Sequence, residues 1–235
     1  MYQKILISLI SLLSFSIYGA ATIDMLPIAN VYAPMGFDSN DSVEIVVEGF
    51  LPNLCYKAPL AKVKVFDKEK KILIEIKGSN YVKMAKFCPE VIVPFVETVS
   101  IGKISHGDYQ IIVNQKSPFE ISSKISIIDS SSSAIDENIY ANIHAVERVE
   151  GEQKVILKGY NPSDCFVKDE VSIISNGVDT YSIMPRMKQI RNFCPMKMVP
   201  VEFEVKIPSD IKRSKILLHV RVMNGKSVNS IFTNY

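Results

Sequence analysis

The sequence predicts an all-β protein built of two tandem sandwich modules, each with its own disulfide. Three observations carry this. First, Gly49-Phe50-Leu51-Pro52-Asn53-Leu54-Cys55-Tyr56 returns as Gly159-Tyr160-Asn161-Pro162-Ser163-Asp164-Cys165-Phe166, Phe87-Cys88-Pro89 returns as Phe193-Cys194-Pro195, and Val93-Pro94 returns as Val199-Pro200. Second, all four cysteines fall inside these repeated words. Third, short alternating apolar runs bounded by turn residues fill both copies, and no long amphipathic helical pattern competes with them.

The chain opens with a stretch that reads as a Sec-type signal peptide over residues 1–21. Lys4 precedes an apolar, serine-containing run, and Gly19-Ala20-Ala21 supplies small residues for cleavage. The run is short of the roughly 20 apolar residues that a spanning helix needs. The first cysteine is Cys55, so no lipid-attachment cysteine stands at the cleavage point. A soluble protein of an oxidising space, periplasmic or secreted and not a lipoprotein, is expected, with no membrane insertion after cleavage.

That compartment sets how the cysteines are read. Four cysteines allow three connectivities, and the duplication selects Cys55–Cys88 and Cys165–Cys194. The pairs are 33 and 29 residues apart, and loops of that size stabilise by about 3–4 kcal/mol each on the chain-entropy model. No C-x-x-C spacing supports a thiolate metal site.

Module 1 is expected over 22–128, a polar join over 129–134 (Asp129-Ser130-Ser131-Ser132-Ser133-Ala134), and module 2 over 135–235. The join is too short to part the modules far, so contact between them is expected. Ile28–Ala33 aligns with Tyr140–Ala145, and Val113–Ser117 with Met223–Ser227. In module 1, Lys62-Val63-Lys64-Val65 and Ile72–Lys77 flank a polar hairpin turn, and further strands are predicted at Val43–Glu48, Val91–Ile101, Tyr109–Asn114 and Phe119–Ile127. Module 2 offers Val155–Gly159, Glu170–Ser175, Tyr181–Met184, Val199–Ile207 and Leu217–Met223, with an Asn176-Gly177 turn. Only a short turn within Asp210–Leu218 suggests helix. Pro94 and Pro200 lie within strand-like runs and mark edge strands or bulges. Gly49 and Gly159 allow a positive φ or a close chain approach. Pro52 and Pro162, with the flanking rings, make each repeated word a corner. About seven short strands per copy describe a β-sandwich.

Ile104-Ser105-His106-Gly107-Asp108-Tyr109, leading into the alternating strand to Asn114, resembles the late strand of bacterial immunoglobulin-like and fibronectin-III-like sandwiches. The Gly-x-x-Pro-x-x-Cys word with its later Cys-Pro is similar to small repeated domains of secreted bacterial proteins. The resemblance implies two tandem immunoglobulin-like β-sandwich domains and carries no functional residue. Module 2 lacks the Gly-x-Tyr, and the chain has no tryptophan to pack on a disulfide.

Composition excludes several classes. The formal net charge of +2 includes Lys4, which leaves about +1 after export. No basic arm points to nucleic acid, and 47% hydrophobic content is well above a disordered composition. His106, His144 and His219 sit in no catalytic word, and no hydrolase or nucleotide motif occurs. An enzyme is not expected, and no cofactor is implied.

The most unusual local composition is 184–198, which holds Met184, Met187, Met196 and Met198 with Arg186, Lys188, Arg191 and Lys197 and no acid. All five arginines lie in module 2. Arginine binds carboxylates and phosphates in bidentate fashion, so Arg186, Lys188, Arg191 and Lys197 are the candidate partner-binding residues. The four methionines are an alternative soft site for Cu(I). The expected function is a non-enzymatic scaffold or binding module for a protein or glycan of the cell envelope or extracellular space, of undetermined oligomeric state. A secreted protease inhibitor, using a disulfide-clamped proline loop, is a second reading, periplasmic Cu(I) binding a third, and a hydrolase a fourth.

Overall fold

The computed structural model describes residues 20–133 and 137–233. All but the last two residues of the expected signal peptide, and Ala134 of the join, lie outside them. Module 1 runs β1 (Thr22–Met25), β2 (Ile28–Tyr32), β3 (Phe37–Asp38), β4 (Val43–Leu51), β5 (Tyr56–Phe66), β6 (Lys71–Asn80), β7 (Val93–Gly102), β8 (Gly107–Val113) and β9 (Ile121–Ile128). Module 2 runs β10 (Ile139–Tyr140), β11 (Ile143–Arg148), β12 (Lys154–Asn161), β13 (Phe166–Ser175), β14 (Thr180–Gln189), β15 (Val199–Lys206), β16 (Lys215–Val222), a 3-10 turn at Met223–Gly225 and β17 (Lys226–Thr233). Each module is an immunoglobulin-like β-sandwich with its own disulfide, Cys55–Cys88 or Cys165–Cys194.

The two modules share one plan. Sheet β2-β4-β7 corresponds to β11-β12-β15, and sheet β5-β6-β8-β9 to β13-β14-β16-β17. Each module also holds a parallel pair, β6 with β8 and β14 with β16. Pro94 and Pro200 fall on the edge strands β7 and β15, where a missing ladder donor is tolerated. Gly49 and Gly159 sit where a neighbouring chain crosses. A Cβ would lie 2.5 Å from the Pro27 carbonyl oxygen at Gly49, and 2.1 Å from that of Asn142 at Gly159. Close backbone approach, and no positive φ, is therefore what requires these glycines.

Registers correct the first repeat alignment. Ile28 faces Gly49 and Ile143 faces Gly159, with an irregularity following each. Ile28 thus corresponds to Ile143, three residues away from the match made by residue identity. The turn Asn114 and Asn224 both have positive φ, 52° and 62°. Parallel pairing, however, sets Val113 opposite Ile74 and Val220 opposite Ile183. Strand β16 therefore runs on through Arg221 and Val222 before its turn.

Along one edge of β6, β8 pairs with the first half and β1 with the second. Asn114 closes the gap between them. Its Oδ1 accepts from Ile76 N at 2.8 Å, and its Nδ2 donates to Leu26 O at 2.9 Å. The matching position in β14 is Pro185, which has no N–H to satisfy. Module 2 needs no such asparagine, and Arg221, the residue equivalent to Asn114, is released to another task.

The tyrosine corner is also built twice by different means. Tyr109 donates to Ser105 O at 3.0 Å, four residues upstream. In module 2 the ring comes from β14, where Tyr181 donates to Pro208 O at 2.8 Å in the corresponding loop. Of the residues expected to turn within Asp210–Leu218, Lys215–Leu218 instead enter β16, where Ile216 and Leu218 are buried on one side and Leu217 on the other, and 210–214 lead into the strand without forming a helix.

Strand periodicity shows what those two sides are. In β4, Val43, Ile45 and Val47 enter the module 1 core, and in β16, Ile216, Leu218, Val220 and Val222 enter the module 2 core. The opposite faces meet each other. Tyr32 and Val46 pack on Leu217, with Ile231 against them. Around this apolar centre lie Asp41–Arg221, Glu44–His219 at 3.3 Å and Glu48–Lys215. Arg221 also donates to Gly36 O at 2.8 Å, and Ser182 Oγ accepts from Met35 N at 2.9 Å. The serine join is tied down as well, since Asn40 Nδ2 donates to Ser130 Oγ at 3.0 Å.

The interface carboxylates predict acid sensitivity. Burial alone would raise Glu44, but hydrogen bonds from His219, Ser227 and Asn229 outweigh it and hold the group below its ordinary 4.5. Burial also opposes Glu48, which Lys215, Asn30 and Tyr32 hold below 4.5. A depressed carboxyl pKa stabilises the folded state above the unfolded value and ceases to do so as pH falls through the folded value. Stability in urea is expected to decline below about pH 4.5. The Glu44→Gln/Glu48→Gln variant should lose less over the same range, and an identical acid slope in both proteins would refute this assignment.

Candidate functional site: the disulfide-pinned tips

Each disulfide joins the turn after a central strand to a long loop before an edge strand. In module 1 it ties the turn after β4 to residues 81–92, and in module 2 the turn after β12 to residues 190–198. Backbone hydrogen bonds add to each tie. Leu54 N donates to Pro89 O at 3.2 Å and Tyr81 N to Cys55 O at 3.0 Å, while Lys197 N donates to Pro162 O and Ile190 N to Cys165 O, both at 2.9 Å. The Pro52 and Pro162 turns are thus folded back onto the loops, and it is the loops that project.

The base of the module 1 loop is polar. Asn80 Nδ2 donates to Asp24 at 2.6 Å, and Tyr56 OH to the same carboxylate at 3.1 Å. The Asn80 hydrogen bond, with that of Tyr56, holds Asp24 below the usual carboxylate range despite partial desolvation. The rings of Tyr56 and Phe166 pack against the two cores, while Tyr160 stacks on His144 with centroids 5.4 Å apart. The repeated word is accordingly a structural corner, and its outer end is something else.

At that outer end, Phe87 is 78% exposed and Phe193 82%. Tyr81, Val82, Met84, Val91 and Ile92 are exposed around the first ring. Ile190, Met196 and Met198 are exposed around the second, with Met196 at 95% and Met198 at 73%. Apolar exposure concentrated on one loop marks contact surfaces. Lys83 and Lys86 are exposed on the first loop, and Lys188, Arg191 and Lys197 on or beside the second. Among the described residues, Lys83, Lys86, Lys188 and Lys197 enter no ion pair within 4.0 Å.

The four basic candidates divide. Lys188, Arg191 and Lys197 belong to the tip. Arg191 lies 3.7 Å from Asp164, a Coulombic pair beyond hydrogen-bond reach. Arg186 is set back on β14, half-buried and 3.6 Å from Glu170. The methionines divide too. Met184 and Met187 are buried in module 2, while Met196 and Met198 stand in solvent. A side chain as exposed as Met196 touches few neighbours, so the four thioethers are not gathered around one point. The two phenylalanines were visible in sequence as part of the repeat, but an aromatic before Cys-Pro reads equally as a ring that covers the bridge.

The histidines lie elsewhere. His106 pairs with Asp129 at 2.7 Å on the surface, and His144 is stacked as above. His219 is fully buried at the module interface. Its Nδ1 lies 2.9 Å from Asn229 Oδ1 and 3.3 Å from Glu44, and among the described residues its Nε2 has no hydrogen-bond partner, beside a void of only about 10 Å³. An open cleft of about 570 Å³ also lies between the modules, lined among others by Met35, Asp108, Gln110, Ser122, Lys124 and Asn176. It offers hydroxyls and amides but no aromatic platform.

Residues 45–121 match the family model of the ORF11 beta-sandwich domain, from β4 to the first residue of β9. The match includes Cys55, Cys88, the first tip and the tyrosine corner. No curated protein and no solved structure matches the chain. The family match supports module 1 as a β-sandwich, and the shared strand plan extends that architecture to module 2.

Proposed function

We propose that the protein is a non-enzymatic binding protein of the periplasm or extracellular space, holding a protein or glycan partner through the disulfide-pinned tips. One observation carries the reading. Both modules keep a ring outside the core at the same place, Phe87 and Phe193, although burying either would be worth about 2 kcal/mol. Pinning the loops reduces the ordering cost of docking, and the cations around each ring favour an anionic contact. The two disulfides fit an oxidising compartment, as does the signal-like start of the chain. Among the described residues, no helix is long and apolar enough to cross a membrane.

The test is capture from envelope extract. Wild-type protein is compared with Phe87→Ser/Phe193→Ser and, separately, with Lys188→Ala/Arg191→Ala/Lys197→Ala. Loss of the same captured components in the first variant, and weakening in the second, is expected. An unchanged captured set would remove the tips from the function.

A further inference from the structure

We propose that the two tips face opposite ways and that each docks on an anionic lipid surface, so that one molecule can join two membranes. The proposal rests on the reading of the tips as the contact surface and sets a lipid surface there in place of a protein or glycan partner.

The direction follows from the interface. Asp41 meets Arg221, Glu44 meets His219, and Glu48 meets Lys215. As numbers rise along module 1 they fall along module 2, so β4 and β16 cross in opposite senses. Strand β4 leads towards Cys55 and the first tip. Strand β16 runs parallel to β14, which leads into residues 190–198 and the second tip. The two disulfide corners therefore point to opposite ends of the molecule, and one flat surface cannot engage both.

The chemistry follows from what the tips share and what they do not. Both have an exposed phenylalanine, further exposed apolar side chains and lysines that enter no ion pair among the described residues. The identities around the ring differ, with Tyr81, Val82 and Met84 on one and Ile190, Met196 and Met198 on the other. A protein pocket reads shape and would distinguish these sets. A bilayer reads only class, taking apolar side chains at the acyl boundary and cations at the headgroups. Both loops hold their apolar side chains in solvent, as a bilayer contact requires. No strand or helix crosses the membrane in this arrangement; only side chains enter it.

The intact exported protein is mixed with vesicles of phosphatidylcholine containing about one-third phosphatidylglycerol, at low and high salt, and with pure phosphatidylcholine vesicles. Co-sedimentation with the anionic vesicles, weakened by salt, and a rise in turbidity from vesicle clustering are expected. Phe87→Ser and Phe193→Ser should each still sediment with vesicles but no longer cluster them. The double variant should bind at least about tenfold more weakly. Circular dichroism and a non-reducing mass check confirm that each variant is folded and bridged. Failure to bind anionic vesicles, or equal binding by the double variant, overturns the lipid assignment. Binding without clustering overturns the opposed geometry. If the tips still capture an envelope protein while vesicles are ignored, the binding function stands and this inference falls. If neither occurs, both fall.

Discussion

Arg221→Ala is expected to cost about 3–5 kcal/mol of stability, the largest effect of any single change at the module interface. The guanidinium makes a two-pronged pair with Asp41, and the arginine and aspartate side chains are only 7% and 2% exposed. It also lies over the rings of Phe37 and Tyr140, at 5.5 and 5.2 Å from their centroids. Removing the arginine leaves the Asp41 carboxylate buried, accepting from Asp38 N at 2.8 Å but with no compensating charge, and takes the side-chain donor from Gly36 O. The cost comes mainly from that stranded charge rather than from the net worth of the pair. Asp41→Leu/Arg221→Met should accordingly recover most of the loss. Urea denaturation of the three proteins measures this. A single variant within about 1 kcal/mol of wild type would show that the pair is not buried in solution. Small-angle scattering of Arg221→Ala should show a more extended particle, since this contact lies at one end of the facing strands.

Removing a disulfide is the second large effect. Cys55→Ser/Cys88→Ser opens a loop of 33 residues and Cys165→Ser/Cys194→Ser one of 29. Each should cost about 3.5–4 kcal/mol on the chain-entropy account. The cores are continuous without the sulfurs, so the sandwiches should still fold in the absence of denaturant. The loss of order should concentrate in residues 81–92 or 190–198, whose other ties are a few backbone hydrogen bonds. Trypsin should then cut after Lys83 and Lys86 in the first variant and after Arg191 and Lys197 in the second, at sites that resist it in the bridged protein. A stability change under about 1 kcal/mol, with no new cleavage, would show that the corners hold without their bridges.

How the sequence relates to the site is clearest in β14. The strand is legible as far as Met184 and then stops, because Pro185 reads as a breaker. In the fold it continues to Gln189, since Pro185 falls at the gap between β16 and β10 where no donor is needed. The same gap explains Arg221, which lies three residues before the Asn224 that identity matches to Asn114, whereas pairing sets Arg221 itself at that position, in the buried interface. The basic candidates show the other limit. Composition marks 184–198 as one stretch, yet it crosses from a buried strand to an open loop, so Arg186 and Met184 serve the fold while Lys197 and Met198 face solvent.

The repeated words, the strand-rich composition and the cysteine partners were readable from residues alone, because each is written locally or by repetition. Period-2 alternation likewise shows that a strand has two faces. It does not show what the outer face meets, and Glu44, Val46 and Glu48 look the same in sequence whether water or Lys215, Leu217 and His219 lies opposite. That pairing, and the opposed direction of the two tips that follows from it, came only from the tertiary structure, because it depends on contacts between residues more than 160 positions apart.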